Sequence, residues 1–311
     1  MQTSTNRAAN PHWLNSRLDE CRRSRSEGRE LLVGTSPAID QVRRLVAQFS
    51  IERDPVLITG ATGTGKEAVA RALHRAGYTP DGPLVVVSAG SLSGSGLNPE
   101  RHWREFVTEA RGGTLLLDEV SDGSDEVQAN LIEIIDACEP EPLRVMATSR
   151  RDLLALISEG FFREELWHRL SVLPIEVPPL SKRVEDIGPL ADLELRRISQ
   201  DRGGEPYVLE ESGYEALRAQ PWPGNVRQIQ VTVRRMAILS ETRRKLDRYD
   251  VDRALQLSRL ESKPSVRYER KERDQIVEAL NSHGWNVSAT ARALEMSRGR
   301  LRGRMARLGI E

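Results

Sequence analysis

A chain of 311 residues has room for two or three domains. Its 46 Lys+Arg are balanced by 46 Asp+Glu, so net charge singles out neither a nucleic-acid nor a membrane partner, and only local clustering can do so. Cys21 and Cys138 stand apart, which weighs against a disulfide framework or a cysteine metal site and fits a reducing cytoplasm. No apolar run approaches a membrane span, and no secretory signal opens the chain.

Residues 1–30 are polar and rich in Arg and Ser, the composition of a mobile leader. The folded part is expected to open at Leu31. Ser36 is placed to cap a helix with Pro37 at its first position and Ile39, Val42, Leu45, Val46 and Phe49 along one face. Pro55–Thr59 reads as a buried strand and Ala68–His74 as a helix. Between them lies Gly60-Ala61-Thr62-Gly63-Thr64-Gly65-Lys66-Glu67. Strand, glycine-rich loop and helix is the context of a phosphate loop. Glycines let backbone N–H groups converge on phosphate oxygens, and a helix start adds positive partial charge. Lys66 supplies a point charge for the β- and γ-phosphates of ATP. The competing reading is a tight strand-to-helix turn with no ligand.

Leu84–Ser88 reads as a strand and Arg101–Ala110 as a helix. Thr114–Asp118 is a buried strand ending in the acids Asp118 and Glu119. Asp118 is placed to hold Mg²⁺ or its waters and Glu119 to orient the attacking water; the competing reading is a strand end with two solvated acids. Val127–Ala137 reads as a helix and Leu143–Ser149 as another strand. Alternating strands and helices imply a parallel sheet with ligands at the C-terminal strand ends. Asp152–Arg169 reads as one helical stretch, Val172–Val177 as a strand, and the segments Val184–Gln200, Leu209–Ala219 and Val226–Leu239 as a helical subdomain.

From Leu32 to Leu239 the chain resembles the AAA+ domain of bacterial enhancer-binding proteins, the activators of sigma-54 RNA polymerase. The resemblance rests on Val33–Ala38, the loop Gly60–Glu67, Gly112–Glu119, Phe162–Leu166 through Arg169-Leu170, Pro178-Pro179-Leu180 and Trp222–Arg227. It implies that Gly60–Glu67 and Arg227 bind the nucleotide and that Asp118 and Glu119 serve Mg²⁺ and hydrolysis. It also implies that Arg163 and Arg169 reach a neighbouring subunit's γ-phosphate; their competing reading is surface ion pairs such as Arg163 with Glu164 or Glu165. Three departures stand out. No GAFTGA segment lies between Ser88 and Asp118, the second insertion is pared to Glu139–Pro142, and Ser88 and Ser149 stand where the family carries Asn.

Residues 268–311 read as three helices. Leu301, Met305 and Leu308 form one face of the last, with Arg298, Arg300, Arg302, Arg304 and Arg307 around the rest and Ser297 as N-cap. This stretch resembles a Fis-type helix-turn-helix, with Asn286-Val287-Ser288 also typical and Glu295 replacing the turn glycine. Ser288 and the five arginines are the expected DNA contacts; the competing readings are a solvated charged helix or a protein-docking module.

The expected architecture is therefore α/β. A leader spans 1–30, an AAA+ nucleotide-binding subdomain 31–180, a helical lid 181–242, a linker 243–266 and an all-α helix-turn-helix 267–311. The expected function is a cytoplasmic, promoter- or enhancer-binding transcriptional regulator with weak ATPase activity. It would assemble as a homo-oligomer, from dimer to ring, or in a mixed ring, without the usual sigma-54 contact loop. RNA polymerase holoenzyme is a possible partner, and two alternatives stay open: a motor that drives sigma-54 RNA polymerase through another surface or in a mixed ring with a partner, and a pseudo-ATPase whose nucleotide only sets assembly.

Overall fold

The computed structural model describes residues 32–92, 99–138, 142–203, 205–240, 243–261, 266–294 and 296–310. The leader, most of the Gly/Ser-rich loop before residue 99, and Glu139–Glu141 lie outside them. The described helices are α1 Pro37–Phe49, α2 Lys66–Ala76, α3 Pro99–Glu109, α4 Asp125–Cys138, α5 Leu153–Ser158, α6 Glu164–Leu170, α7 Ile187–Arg202, α8 Glu211–Arg218, α9 Asn225–Leu239, α10 Arg248–Glu261, α11 Val266–Ser282, α12 Val287–Ala293 and α13 Arg298–Leu308. The strands are β1 Val56–Thr59, β2 Leu84–Ser88, β3 Thr114–Asp118, β4 Arg144–Ser149, β5 Leu173–Glu176, β6 Val208–Leu209 and β7 Lys245–Leu246. Among the described residues no helix is long and apolar enough to cross a membrane.

The main sheet runs β2-β3-β4-β1-β5, all neighbours parallel. Strand side chains alternate between faces, and this sheet is covered on both. Leu57, Leu115, Leu117, Val145 and Ala147 enter one core with residues of α3, α4, α5 and α6. Val56, Ile58, Leu116, Met146 and Ile175 enter the other with residues of α1 and α2. That explains why β3 carries three consecutive leucines: a strand buried on both faces has no polar side. Ser36 caps α1 through Ile39 N at 3.2 Å, with Pro37 at the helix start, as its sequence predicts.

Three expectations change. The stretch expected as one helix from Asp152 to Arg169 is two, α5 and α6, broken where Gly160 takes φ +74°. Leu209 starts no helix: it pairs in β6 with β7, in the segment 243–264 expected as a charged, partly helical linker, whose helix is α10. A two-residue strand leaves no periodicity to read. Val184–Asp186 forms a 3-10 turn before α7. There Asp186 is fully buried and accepts from Thr35 N, Ser36 N and Ser36 Oγ at 2.6–2.8 Å. A Cβ on Gly34 would come 2.5 Å from its carboxyl, so glycine there admits the acid.

The chain divides into two compact units after Val251. In the second, Ile276 and Leu280 of α11, Ala291 of α12, Leu301 of α13 and Ile310 form a separate small core, with Met305 and Leu308 packed against it.

Candidate functional site

The loop between β1 and α2 lies at the C-terminal end of β1, where such sheets bind ligands. Gly60, Gly63 and Gly65 have φ of +149°, +77° and +106°, values that side-chain-bearing residues adopt only under strain. A Cβ on Gly63 would sit 2.3 Å from Gly224 O, whereas one on Gly65 would meet nothing within 4 Å. The loop is therefore packed from behind and open at its mouth.

What shapes the loop is the fate of its carbonyls. Gly60 O accepts from Lys66 Nζ at 2.9 Å, and Ala61 O from Thr64 N at 3.3 Å and Thr64 Oγ1 at 2.9 Å. The next three are held by residues much later in the chain. Thr62 O accepts from Asn225 Nδ2 at 2.9 Å, Gly63 O from Arg227 N at 3.3 Å and Thr64 O from Arg183 Nη2 at 2.6 Å. In a trans peptide the N–H points opposite to the carbonyl of the same unit. Pinning Thr62 O and Thr64 O thus turns the N–H groups of Gly63 and Gly65 away from the pins. Such a nest of amides at a helix start is an anion site, and the residues present fit a polyphosphate.

Asn225 links the loop to a second segment. It is 3% exposed, its φ is +51°, and its Oδ1 also accepts from Leu180 N at 2.8 Å. Asparagine tolerates the left-handed region better than most residues. Arg183 is also buried, and burial pushes its guanidinium below the ordinary value while Asp186 opposes the shift. Neither residue was singled out by sequence, because each acts on backbone 119 or 163 residues away. Asn225→Ala removes the bonds to Thr62 O and Leu180 N, with a longer one to Pro223 O at 3.4 Å, and places alanine in the left-handed region, at about 1–3 kcal/mol for the stranded polar groups. The expected result is a lower melting temperature together with about 10-fold weaker nucleotide binding in a titration calorimeter. Wild-type affinity in the folded variant would show that the loop needs no pin from the lid.

The acids lie across from the loop. Lys66 is 7% exposed, and its Nζ also pairs with Glu119 Oε1 at 2.9 Å. Glu119 Oε2 accepts from Arg150 N at 2.9 Å, so both carboxylate oxygens are oriented. Its backbone is left-handed at φ +52°, ψ +56°, a strained state for a non-glycine residue. Thr148 joins the two acids: its Oγ1 donates to Asp118 Oδ1 at 2.7 Å and accepts from Glu119 N at 2.9 Å. Ser149, at the position where the family carries Asn, instead closes on its own turn, with Arg151 O at 2.8 Å and Arg151 N at 3.2 Å. Ser88 is level with Asp118 in the adjoining strand.

The remaining expected site residues are dispersed. Glu67 faces outward and pairs with Arg71 at 2.7 Å on α2. Arg227 has its backbone on the phosphate loop and an exposed side chain. Arg163 pairs with neither Glu164 nor Glu165. It reaches Asp125 with two bonds of 2.8 Å, which hold that carboxyl below its usual range and the guanidinium above its own. Arg169 pairs with Asp136 and, at 3.1 Å, with Glu165. These exposed pairs exchange readily with solvent or another anion.

In the second unit, Asn286 caps α12 through Ser288 N and Ala289 N, both at 3.1 Å, and Ser297 caps α13 through Arg300 N at 3.2 Å. Leu301 is buried while Arg298, Arg300 and Arg302 are exposed, Arg304 is half-buried and Ser288 is exposed. Arg307 lies on α13, with its side chain outside the described set.

Residues 33–180 match the family described as sigma-54 interaction domain, 181–268 the AAA+ ATPase lid domain, and 269–308 the bacterial regulatory protein, Fis family. The nitrogen assimilation regulatory protein NtrX of Azorhizobium caulinodans is 33% identical over 341 residues, spanning 96% of this chain and 75% of that protein. That alignment is longer than the chain itself, so the relative carries residues inside the matched span that this chain lacks. The DNA-binding transcriptional regulator NtrC of Bradyrhizobium sp. is 36% identical over 231 residues, covering 67% of this chain; the chain spans 48%, about half, of that relative. Among solved structures, NtrX from Brucella abortus in complex with ATP superposes with a TM-score of 0.62 at 31% identity, covering 89% of this chain and 69% of that one. With a nucleotide loop, a lid and a basic helix-turn-helix in one chain, the protein belongs to the bacterial enhancer-binding proteins, transcriptional regulators built from an AAA+ sigma-54 interaction domain and a Fis-type DNA-binding domain.

Proposed function

We propose that the protein occupies promoter or enhancer DNA through α12 and α13, and that ATP bound at Gly60–Lys66 sets its self-association and hence its avidity. The observation that carries the DNA half is the division of α13: Leu301 faces the core while Arg298, Arg300 and Arg302 are exposed. That matches an electrostatic footprint for phosphate. The nucleotide half rests on the pinned loop carbonyls. Asp118 supplies a carboxylate for Mg²⁺, which when bound neutralises phosphate charge. Glu119 orients the attacking water, and Arg163 and Arg169 serve a neighbouring copy's site in a homo-oligomer or a mixed ring. Turnover is slow, since the serines at 88 and 149 reach less far than asparagine would.

Between Ser88 and Asp118 the chain holds no GAFTGA segment. Coupling to a partner requires contacts that differ between states, so sigma-54 polymerase lacks its usual handle. A second reading, a motor acting on sigma-54 RNA polymerase through another surface, is favoured by the oriented Glu119.

Footprinting and open-complex assays test the proposal. Binding should weaken with salt at about −0.9 in log K per log salt for each phosphate contacted, and deletion of residues 270–311 should abolish it. Purified protein with ATP should open no sigma-54 promoter; an open complex would establish the motor reading instead.

A further inference from the structure

Gln128, on the first turns of α4, is 2% exposed. Its side-chain amide is spent on backbone. Nε2 donates to Gly123 O at 3.2 Å and to Phe161 O at 3.0 Å, and Oε1 accepts from Arg163 N at 2.8 Å. Both donors of the amide are used. Gly123 closes the short 3-10 turn Val120–Asp122 that follows directly on Glu119. Phe161 and Arg163 belong to the segment between α5 and α6. One buried amide thus ties the segment leaving the acidic strand end to the segment that presents Arg163.

The arginine is held differently at its two ends. Its backbone is fixed by Gln128 inside the protein. Its guanidinium rests on Asp125, itself 80% exposed, in a solvent-screened pair. Asp125 and Gln128 lie one turn apart on α4, so a single helix start supplies both the fixed mount and the exchangeable rest. Moving the guanidinium to another anion costs the surface pair alone and leaves the mount in place.

We infer that Gln128 is a positioning residue that fixes the Arg163 segment to the acidic end of β3, so that a subunit's own nucleotide site governs the arginine it offers to its neighbour. The inference rests on the reading of Arg163 as acting on a neighbouring copy. The geometry assigns Gln128 no contact with nucleotide. Its loss should spare binding and lower turnover through misplacement of Arg163, by about 10- to 100-fold.

Subunit mixing tests this with the full chain. Gln128→Leu alone should bind nucleotide and assemble as the wild type does, yet turn over slowly. Mixed with Glu119→Gln subunits, which keep the Arg163 segment but lack the acid, turnover should rise several-fold above either parent. Mixed with Arg163→Ala subunits it should not rise, since both partners then lack a placed arginine. Recovery for Arg163→Ala with Glu119→Gln, but none for Gln128→Leu with Glu119→Gln, would show that Gln128 serves its own acids and would overturn the inference. No recovery in either mixture would overturn the neighbour reading and the inference with it. Hydrogen exchange supplies a readout free of turnover: the Arg163 amide should lose protection in Gln128→Leu while residues 66–73 keep theirs, and unchanged protection at Arg163 would count against the mount. If Gln128→Leu does not fold, Gln128→Glu keeps the oxygen facing Arg163 N, loses both donors, and is expected to give a smaller loss with the same mixing pattern.

Discussion

Lys66→Ala is expected to weaken nucleotide binding by about 100-fold or more, the loss of roughly 3 kcal/mol of charge-assisted hydrogen bonding to phosphate. The geometry makes the effect larger than that of a surface lysine. Lys66 is nearly buried, held between Gly60 O and Glu119 Oε1 at 2.9 Å from each, so its ammonium is already desolvated and aimed at the loop. Removing it also leaves the Glu119 carboxylate without a counter-charge facing the phosphates. Gly60 O loses its partner as well, which loosens the first carbonyl of the nest. Isothermal calorimetry with ATP reads the change directly, and an unaltered dissociation constant would remove the phosphate-loop assignment. The folded state should survive, because the adjoining core of α2 is built from Val69, Ala70, Ala72 and Leu73 rather than from the lysine.

The second large effect is expected for Glu119→Gln. Loss of a positioned carboxylate that directs water should lower turnover by about 10²–10⁴-fold. Binding should move the other way. Glutamine is uncharged, so the ion pair that holds Lys66 is gone and the ammonium is free for phosphate. A modest gain in ATP affinity is therefore expected alongside the lost turnover. The opposed signs separate this residue from Lys66 in one pair of measurements, single-turnover hydrolysis and calorimetry. Turnover that stays within a few-fold of the wild type would mean that another group directs the water.

Runs and caps made by residues close in sequence are legible in the sequence alone. The three leucines of β3 announced a strand buried on both faces, and the glycine spacing announced the phosphate loop. Ser36 and Ser297 announced helix starts, and Leu301 and Met305 the small core of the second unit. Each of these signals is local: a period, a cap or a turn residue. What sequence could not show depends on partners far apart. The ion pair open to Arg163 within its own subunit, beside Glu164 or Glu165 on the competing reading, is made instead with Asp125, 38 positions earlier. Thr148, rather than Ser149, bonds both acids, because strand alternation and the following turn decide which hydroxyl faces them. Asn225 is legible only as part of a turn and Gln128 carries no signal, because the amide of each acts on backbone that folding brings near, Thr62 O for Asn225 and Phe161 O for Gln128. The positive φ of Glu119 leaves no trace in sequence at all.

The pins on Thr62 O and Thr64 O also set an order of events during synthesis. The strand, loop and helix that carry Gly60–Lys66 leave the ribosome before their pins, since Arg183 and Asn225 lie 119 and 163 positions after the carbonyls they hold. At ~5–20 residues per second the nascent chain waits on the order of ten seconds for the second pin. During that interval the glycines are free to sample many backbone states, and each late contact closes a long chain segment. ATP-binding competence is thus a property the chain acquires late, when the helical subdomain emerges and docks. A growing polypeptide on the ribosome holds no completed nucleotide site until Asn225 has been made and has docked.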